Sequence, residues 1–169
     1  MTVLDLFCGL GGFSRAFRDR GHSVIGVDIV PPATILADAK ALPLRNFRPD
    51  VILASPPCTE FSREDMPWHR TGNPPDMSLV DAAFKAIKDL APRWWVIENT
   101  RGAVKHFPIP YTHKAGSRYL WTNLPLLDFD EAKCYGKWRL PPTKDRAWLR
   151  SEIPYTLSLG LCRAMEGFN

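Results

Sequence analysis

The chain has 169 residues, 45% of them apolar, which bounds it to one domain with a buried core and excludes a disordered chain. No apolar run approaches the ~18 residues of a membrane-spanning helix, and the N-terminus enters a strand pattern with no signal-like segment before it, so a cytoplasmic protein is expected. The net charge of +4, with a pI near 9.0, is compatible with a polyanionic partner without requiring one.

Val3 to Phe7 reads as a first strand, running into Cys8-Gly9-Leu10-Gly11-Gly12. Phe13, Ala16 and Phe17 recur at helical spacing, with Gly21 as the stop. Ser23 to Val27 reads as a second strand ending in Asp28, and Thr34 to Ala37 as a short third before Asp38. Asp50 to Ala54 is a near-continuous apolar run, the pattern of a parallel strand covered on both faces, and it leads into Ser55-Pro56-Pro57-Cys58.

Residues 59–77 show no periodicity and carry three prolines and one glycine; a loop of this length is expected to be functional, and we read it as a mobile lid. Ser78-x-x-Asp81 has the form of a capping box with Asp in place of Glu. It precedes an amphipathic helix through Val80, Ala83, Phe84 and Ile87 that ends near Pro92. Arg93 to Ile97 reads as the next strand, running into Glu98-Asn99, and Tyr119 to Trp121 as a further short one. Residues 122–150 are irregular and rich in proline and aromatic residues. Ile153 to Met165 reads as a last helix with Pro154 in its first turn.

Strands alternating with helices predict a single α/β domain over 1–169, built on an open, Rossmann-like parallel sheet. Such sheets bind ligands beyond the carboxyl ends of their strands. The segment Asp5 to Gly12, Asp28, Asp38, Cys58 and Glu98 all fall at or just after those ends.

Gly9, Gly11 and Gly12 allow a tight turn and close approach of backbone to a ligand. Their spacing is not that of a dinucleotide fingerprint, and no lysine follows as in a phosphate-binding loop. Asp28 is placed to accept ribose hydroxyls and Asp38 an adenine amino group. A nucleoside cofactor without pyrophosphate suits these parts; a tight turn with two helix-capping aspartates suits them too. Cys58 follows two prolines and precedes polar residues, a setting for an accessible thiolate, although a buried inert thiol is the commoner fate of cysteine. Cys8, inside the glycine turn, is expected to be structural or adjacent to the cofactor. Glu98 ends an apolar strand, where burial favours a protonated carboxyl able to act as an acid; its other reading is a carboxylate bonded to loop amides. Asn99 is expected to hold a loop. The four cysteines, Cys8, Cys58, Cys134 and Cys162, show neither metal-ligand spacing nor a disulfide framework, so no metal is expected. Arg63, His69, Arg70, Lys105, His106, His113, Lys114 and Arg118, interleaved with Trp68, Phe107, Tyr111, Tyr119 and Trp121, offer charge and stacking to a nucleic acid; scattered surface cations and core aromatics account for them as well.

Three segments in this order resemble the DNA (cytosine-5) methyltransferase family: Asp5-Leu6-Phe7-Cys8-Gly9-Leu10-Gly11-Gly12, Ser55-Pro56-Pro57-Cys58 with Phe61-Ser62, and Glu98-Asn99. The likeness covers roughly residues 1–121, with weaker likeness in the last helix. It implies S-adenosyl-L-methionine as cofactor, contacted by Asp5, Phe7, Cys8, Gly9, Gly11, Gly12, Asp28, Ile29, Asp38 and Pro56. It implies methylation of cytosine C5 in DNA, with Cys58 as nucleophile at C6, Glu98 as the acid at N3, and Asn99 and Arg118 beside them. It also implies a restriction-modification setting, in a prokaryote or virus, and extrusion of the base from the duplex. The same reaction on RNA and a catalytically silent binding subunit are the other readings the residues admit.

Thr59 stands where the family usually has glutamine, and Thr100 where it has valine. The family's later arginine motif begins with glutamine; this chain contains none, and only Arg118 matches the motif's last arginine. Residues 122–150 are short for a target-recognition region, so a vestigial recognition region, a homodimer or a specificity partner is expected.

Overall fold

In the computed structural model, which describes residues 1–63, 71–125 and 152–168, seven strands form one sheet: β1 (Thr2–Leu6), β2 (Ser23–Asp28), β3 (Ile35–Leu36), β4 (Val51–Ala54), β5 (Trp94–Thr100), β6 (His113–Ala115) and β7 (Arg118–Thr122). Their order across the sheet is β3-β2-β1-β4-β5-β7-β6. The first five are parallel to one another, and β7 runs antiparallel to both β5 and β6. This is the predicted Rossmann-like methyltransferase sheet, with one reversed strand that the sequence reading did not specify. The helices are α1 (Arg15–Asp19), α2 (Thr59–Arg63), α3 (Ser78–Leu90) and α4 (Tyr155–Gly167).

The apolar runs become strands because both of their faces are covered. Val3, Val51, Leu53 and Val96 face one core, packed with Phe13, Phe17, Leu157, Leu161 and Met165 from the side of α1 and α4. Their sequence neighbours Leu4, Ile52, Ala54 and Ile97 face the other, with Val80, Ala83, Ala86 and Leu90 of α3. Burying a leucine or valine side chain of this kind is worth roughly 1.5–3 kcal/mol, so the interleaved pairs anchor β1, β4 and β5 as the rigid centre of the sheet.

Four expectations need correction. The segment after Cys58 is not loop throughout: Thr59–Arg63 is a turn of helix with Phe61 buried at 3% exposure. One turn with one apolar residue leaves no periodicity to read; residues 64–70 lie outside the described residues. The capping box at Ser78 and Asp81 is not made; Asp76 Oδ1 instead accepts from the Ser78 N–H at 2.8 Å, two residues earlier than the pattern suggested. Strand β5 does not stop at Ile97: Glu98, Asn99 and Thr100 pair with Leu120, Tyr119 and Arg118 of β7. Strand β6 was missed, because His113-Lys114-Ala115 carries no apolar alternation. The recognition region expected over 122–150 lies outside the described residues from 126 onward.

Candidate active site

Strand order reverses between β1 and β4, so the crevice beyond their carboxyl ends is where a ligand is expected. A cavity of about 860 Å³ opens there. Its walls include Phe7, Cys8, Gly9, Leu10, Gly12, Asp28, Ile29 and Asp38 from the β1–β3 side, and Ser55, Pro57, Cys58, Thr59 and Ser62 from the β4 side. Glu152 and Ile153, just before α4, complete it. The volume lies within the range of small-molecule sites.

The β1 side is shaped by backbone. Phe7 leaves the strand with φ 60, and Gly9 and Gly11 follow at φ 49 and 78, so the chain turns through left-handed conformations that only glycine adopts without strain. Asp28 ends β2 and fastens this turn: Oδ2 accepts from the Gly9 N–H at 2.9 Å, and Oδ1 from the Ile29 N–H at 2.7 Å. Asp38 accepts from the Lys40 N–H at 2.9 Å, the capping role that was one of its two readings. Both carboxylates still line the cavity, and a carboxylate has about four acceptor sites, so each retains capacity for a ligand hydroxyl or amino group. Ile29, 74% exposed beside Asp28, presents an apolar surface to the same space.

Three residues expected at the cofactor do not line the cavity. Asp5 is fully buried within β1 and accepts from Ser14 Oγ at 2.5 Å, bracing the loop from beneath; burial pushes its carboxyl up to about 7. Gly11 is covered by the Arg18 guanidinium, 3.2 Å from where a Cβ would stand. Pro56 contributes its carbonyl to Asn99 rather than a wall. Cys8 does line the cavity, but its sulfur packs over Gly26, 2.8 Å from the site of a missing Cβ. Burial first, then the charges of Asp5 and Asp28, push its thiol up to about 12, so it remains protonated and inert.

The β4 side is tied across strands by side chains. Cys58 is half-buried at the start of α2, its carbonyl accepting from the Phe61 and Ser62 N–H groups and from Ser62 Oγ. Ser55 Oγ donates to Glu98 Oε2 at 2.7 Å, and Asn99 Nδ2 donates to the Pro56 carbonyl at 3.0 Å. Gly102 adds a third tie: a Cβ there would run into the Phe61 carbonyl oxygen, so only glycine lets α2 rest against the turn at Arg101–Ala103 that follows β5. Glu98 is 4% exposed, and Arg118 Nη1 donates to its Oε1 at 2.8 Å. Arg118 Nη2 donates to the Glu152 carbonyl at 2.6 Å, joining the buried carboxyl to the cavity wall beside Gly12. Ser55 and Glu152 were not singled out from the sequence; their roles follow from contacts 43 and 34 residues away.

The cavity chemistry fits a nucleoside cofactor of the expected kind. Two carboxylates, an apolar side chain and the glycine loop share the wall, and among the described residues Lys40 is the one cationic side chain on it, so these residues form no cradle for pyrophosphate. No helix of the described residues is long and apolar enough to cross a membrane.

A model of the C-5 cytosine-specific DNA methylase family matches residues 1–108. The type II methyltransferase M.AplI of Arthrospira platensis is 32% identical over 119 residues, covering 60% of this chain and 32% of that protein. The type II methyltransferase M1.HphI of Haemophilus parahaemolyticus is 29% identical over 126 residues, covering 63% of this chain and 34% of that one. The chain thus spans about a third of the length of these curated relatives. Among solved structures, the Entamoeba histolytica methyltransferase EhMeth superposes with TM-score 0.48 at 17% identity, covering 77% of this chain and 55% of that chain. The stretch matched by the family model holds the glycine loop, Cys58 and Glu98-Asn99 in one cavity and its immediate support, and the chain belongs to the C-5 cytosine-specific DNA methylase family.

Proposed function

We propose that this protein methylates C5 of cytosine in DNA, with S-adenosyl-L-methionine as cofactor and Cys58 as a transient covalent nucleophile. The observation that carries this reading is that Cys58 and the glycine loop wall the same cavity, with Ser55 linking that cavity to the buried Glu98.

The cofactor supplies an electrophilic methyl group carried on a sulfonium. The β1–β3 side would hold it: the Gly9–Gly12 backbone, Asp28 for ribose hydroxyls, Asp38 for the adenine amino group, and Ile29 against the ring. The cytosine ring is not nucleophilic at C5 until its C5–C6 bond is activated. Attack by the Cys58 thiolate forms a sulfur–C6 bond and moves the ring electron pair toward N3, where a carboxyl proton receives it. On this reading Glu98 supplies that proton. Arg118 holds Oε1 and Ser55 holds Oε2, so a base in the cavity would reach Oε2 only once the Ser55 hydroxyl turned away. The resulting enamine makes C5 the nucleophile that takes the methyl group. Loss of the C5 proton to solvent-borne base then restores the double bond and expels the thiolate, and the N3 proton returns to Glu98, so that both side chains regain their starting states. Asn99, bonded to the Pro56 carbonyl, holds the nucleophile segment against the acid strand.

The experiment is incubation of the purified protein with labelled cofactor and separate DNA and RNA pools. Label appearing at cytosine C5 of DNA is the expected result. Label in RNA alone moves the substrate to RNA, and label in neither pool removes the catalytic reading.

A further inference from the structure

Among the described residues the charged side chains on the cavity wall are Asp28, Asp38, Lys40 and Glu152. The first three are engaged within the protein. Asp28 accepts backbone N–H groups on both oxygens, and Asp38 takes the Lys40 N–H on Oδ1 and faces the Lys40 ammonium at 3.8 Å on Oδ2. Glu152 differs: among the described residues no cation pairs with its carboxylate. Its backbone carbonyl accepts from Arg118 Nη2 at 2.6 Å, and its side chain passes over Gly12, with Cγ 3.3 Å from where a Cβ would stand.

Glu152 therefore stands at the Gly12 end of the loop, the end away from the Gly9–Asp28 bond. If the nucleoside of the cofactor rests on Asp28 and Asp38, Gly12, Ser55, Cys58 and Glu152 are the wall residues that would be left to its amino-acid end and sulfur centre. The sulfur is positive before methyl transfer and neutral after it. A carboxylate on that wall with no cation beside it among the described residues attracts the first form more than the second.

On the cofactor reading above, we propose that Glu152 is a specificity-determining residue that favours the sulfonium cofactor over its neutral demethylated product, and so promotes product release. The α-ammonium and carboxylate are common to both ligands, so only the sulfur charge separates them.

The test is calorimetric binding of S-adenosyl-L-methionine and S-adenosyl-L-homocysteine to wild type, Glu152→Gln and Glu152→Asp. Glu152→Gln should weaken the methylated cofactor by about fivefold and the product by much less, while Glu152→Asp keeps most of the preference. In wild type the ratio of the two affinities should shrink as salt rises from about 0.05 to about 0.5 M, and in Glu152→Gln it should not respond. That salt response is one that loss of local structure would not mimic. Equal weakening of both ligands, or no weakening, overturns the inference while leaving the cofactor reading intact. A wild-type ratio insensitive to salt overturns it without any variant. Binding of neither ligand to wild type overturns the cofactor reading itself, and the inference with it.

Discussion

The two halves of the cavity are built by opposite means. On the β1–β3 side the shape is set locally, by left-handed backbone at Phe7, Gly9 and Gly11 and by Asp28 collecting amides from residues near it in space. On the β4–β5 side it is set by side chains reaching across strands: Ser55 to Glu98, Asn99 to Pro56, Arg118 to Glu98. The two thiols on the wall follow this division. Cys8 is pressed against Gly26 with its proton held, whereas Cys58 begins a helix turn that is locked at its far side by Gly102. A backbone-built half tolerates change in its side chains as long as the turn survives, and a side-chain-built half does not.

The largest effect is expected where that contrast is sharpest. Cys58→Ser should cut turnover by at least about 10⁴-fold, since a hydroxyl without thiolate character cannot attack C6. On 5-fluorocytosine DNA, which cannot lose a C5 proton, wild type and Cys8→Ser should both remain covalently attached in a denaturing gel, and Cys58→Ser should not. A trapped species in Cys58→Ser equal to wild type would remove the nucleophile from its place. Glu98→Gln keeps the shape of the side chain but cannot act as the acid of the proposed mechanism, and should slow single-turnover methylation by about 10³- to 10⁴-fold with little change in cofactor affinity. A loss of cofactor affinity as large as the loss of rate would mean that the two halves are not separate.

The division also governs what the sequence made legible. The sheet, the glycine turn, Asp28, Asp38 and Cys58 could be read because each depends on an apolar run and the few residues after it. Glu98 and Asn99 stood out as candidates for the same reason, but they were placed at a strand end when β7 in fact extends the strand past them. Arg118 could be found only through the family resemblance, and its partners only in the fold, because its register opposite Thr100 depends on a reversed strand. Ser55, Gly102 and Glu152 were silent in sequence: each acts by a contact tens of residues away. Asp5 was legible as part of a motif but misplaced in space, since a carboxylate at the penultimate position of a buried strand points into the protein and finds Ser14.

Asp5 gives a pH test of the backbone-built half. Its carboxyl has an ordinary value of 3.8 and is pushed up to about 7 by burial, the Ser14 hydrogen bond opposing this only in part. Below pH 4 both the folded and unfolded chains hold the proton. Between pH 4 and 7 the unfolded chain releases it while the folded chain keeps it, so this group's contribution to stability falls as pH rises, and levels off above about 7. The gap corresponds to about 4 kcal/mol. Asp5→Asn is neutral at every pH and still accepts from Ser14. Its stability relative to wild type, measured by denaturant unfolding, should therefore rise steadily from pH 4 to 7. A constant difference across that range would show that the buried carboxyl does not titrate as described.

The smallest of these effects concerns Asp28, where the two means of construction meet: it fastens the turn, and on the proposed reading it also takes the ribose. Removal of its carboxylate in Asp28→Ala should weaken S-adenosyl-L-methionine by ~1.5–3 kcal/mol, the worth of a hydrogen bond to a charged group. Because Gly9, Ile29 and Val30 also lose an acceptor, the apo protein should unfold more easily as well. Asp28→Asn separates the two contributions. Its one remaining carbonyl oxygen can keep a backbone bond, so apo stability should recover more than cofactor affinity does. Calorimetry alongside thermal melts of both variants reads the two quantities independently. If Asp28→Ala binds the cofactor as wild type does while its melting point falls, Asp28 is only a turn fastener, and the ribose contact must lie elsewhere on the wall.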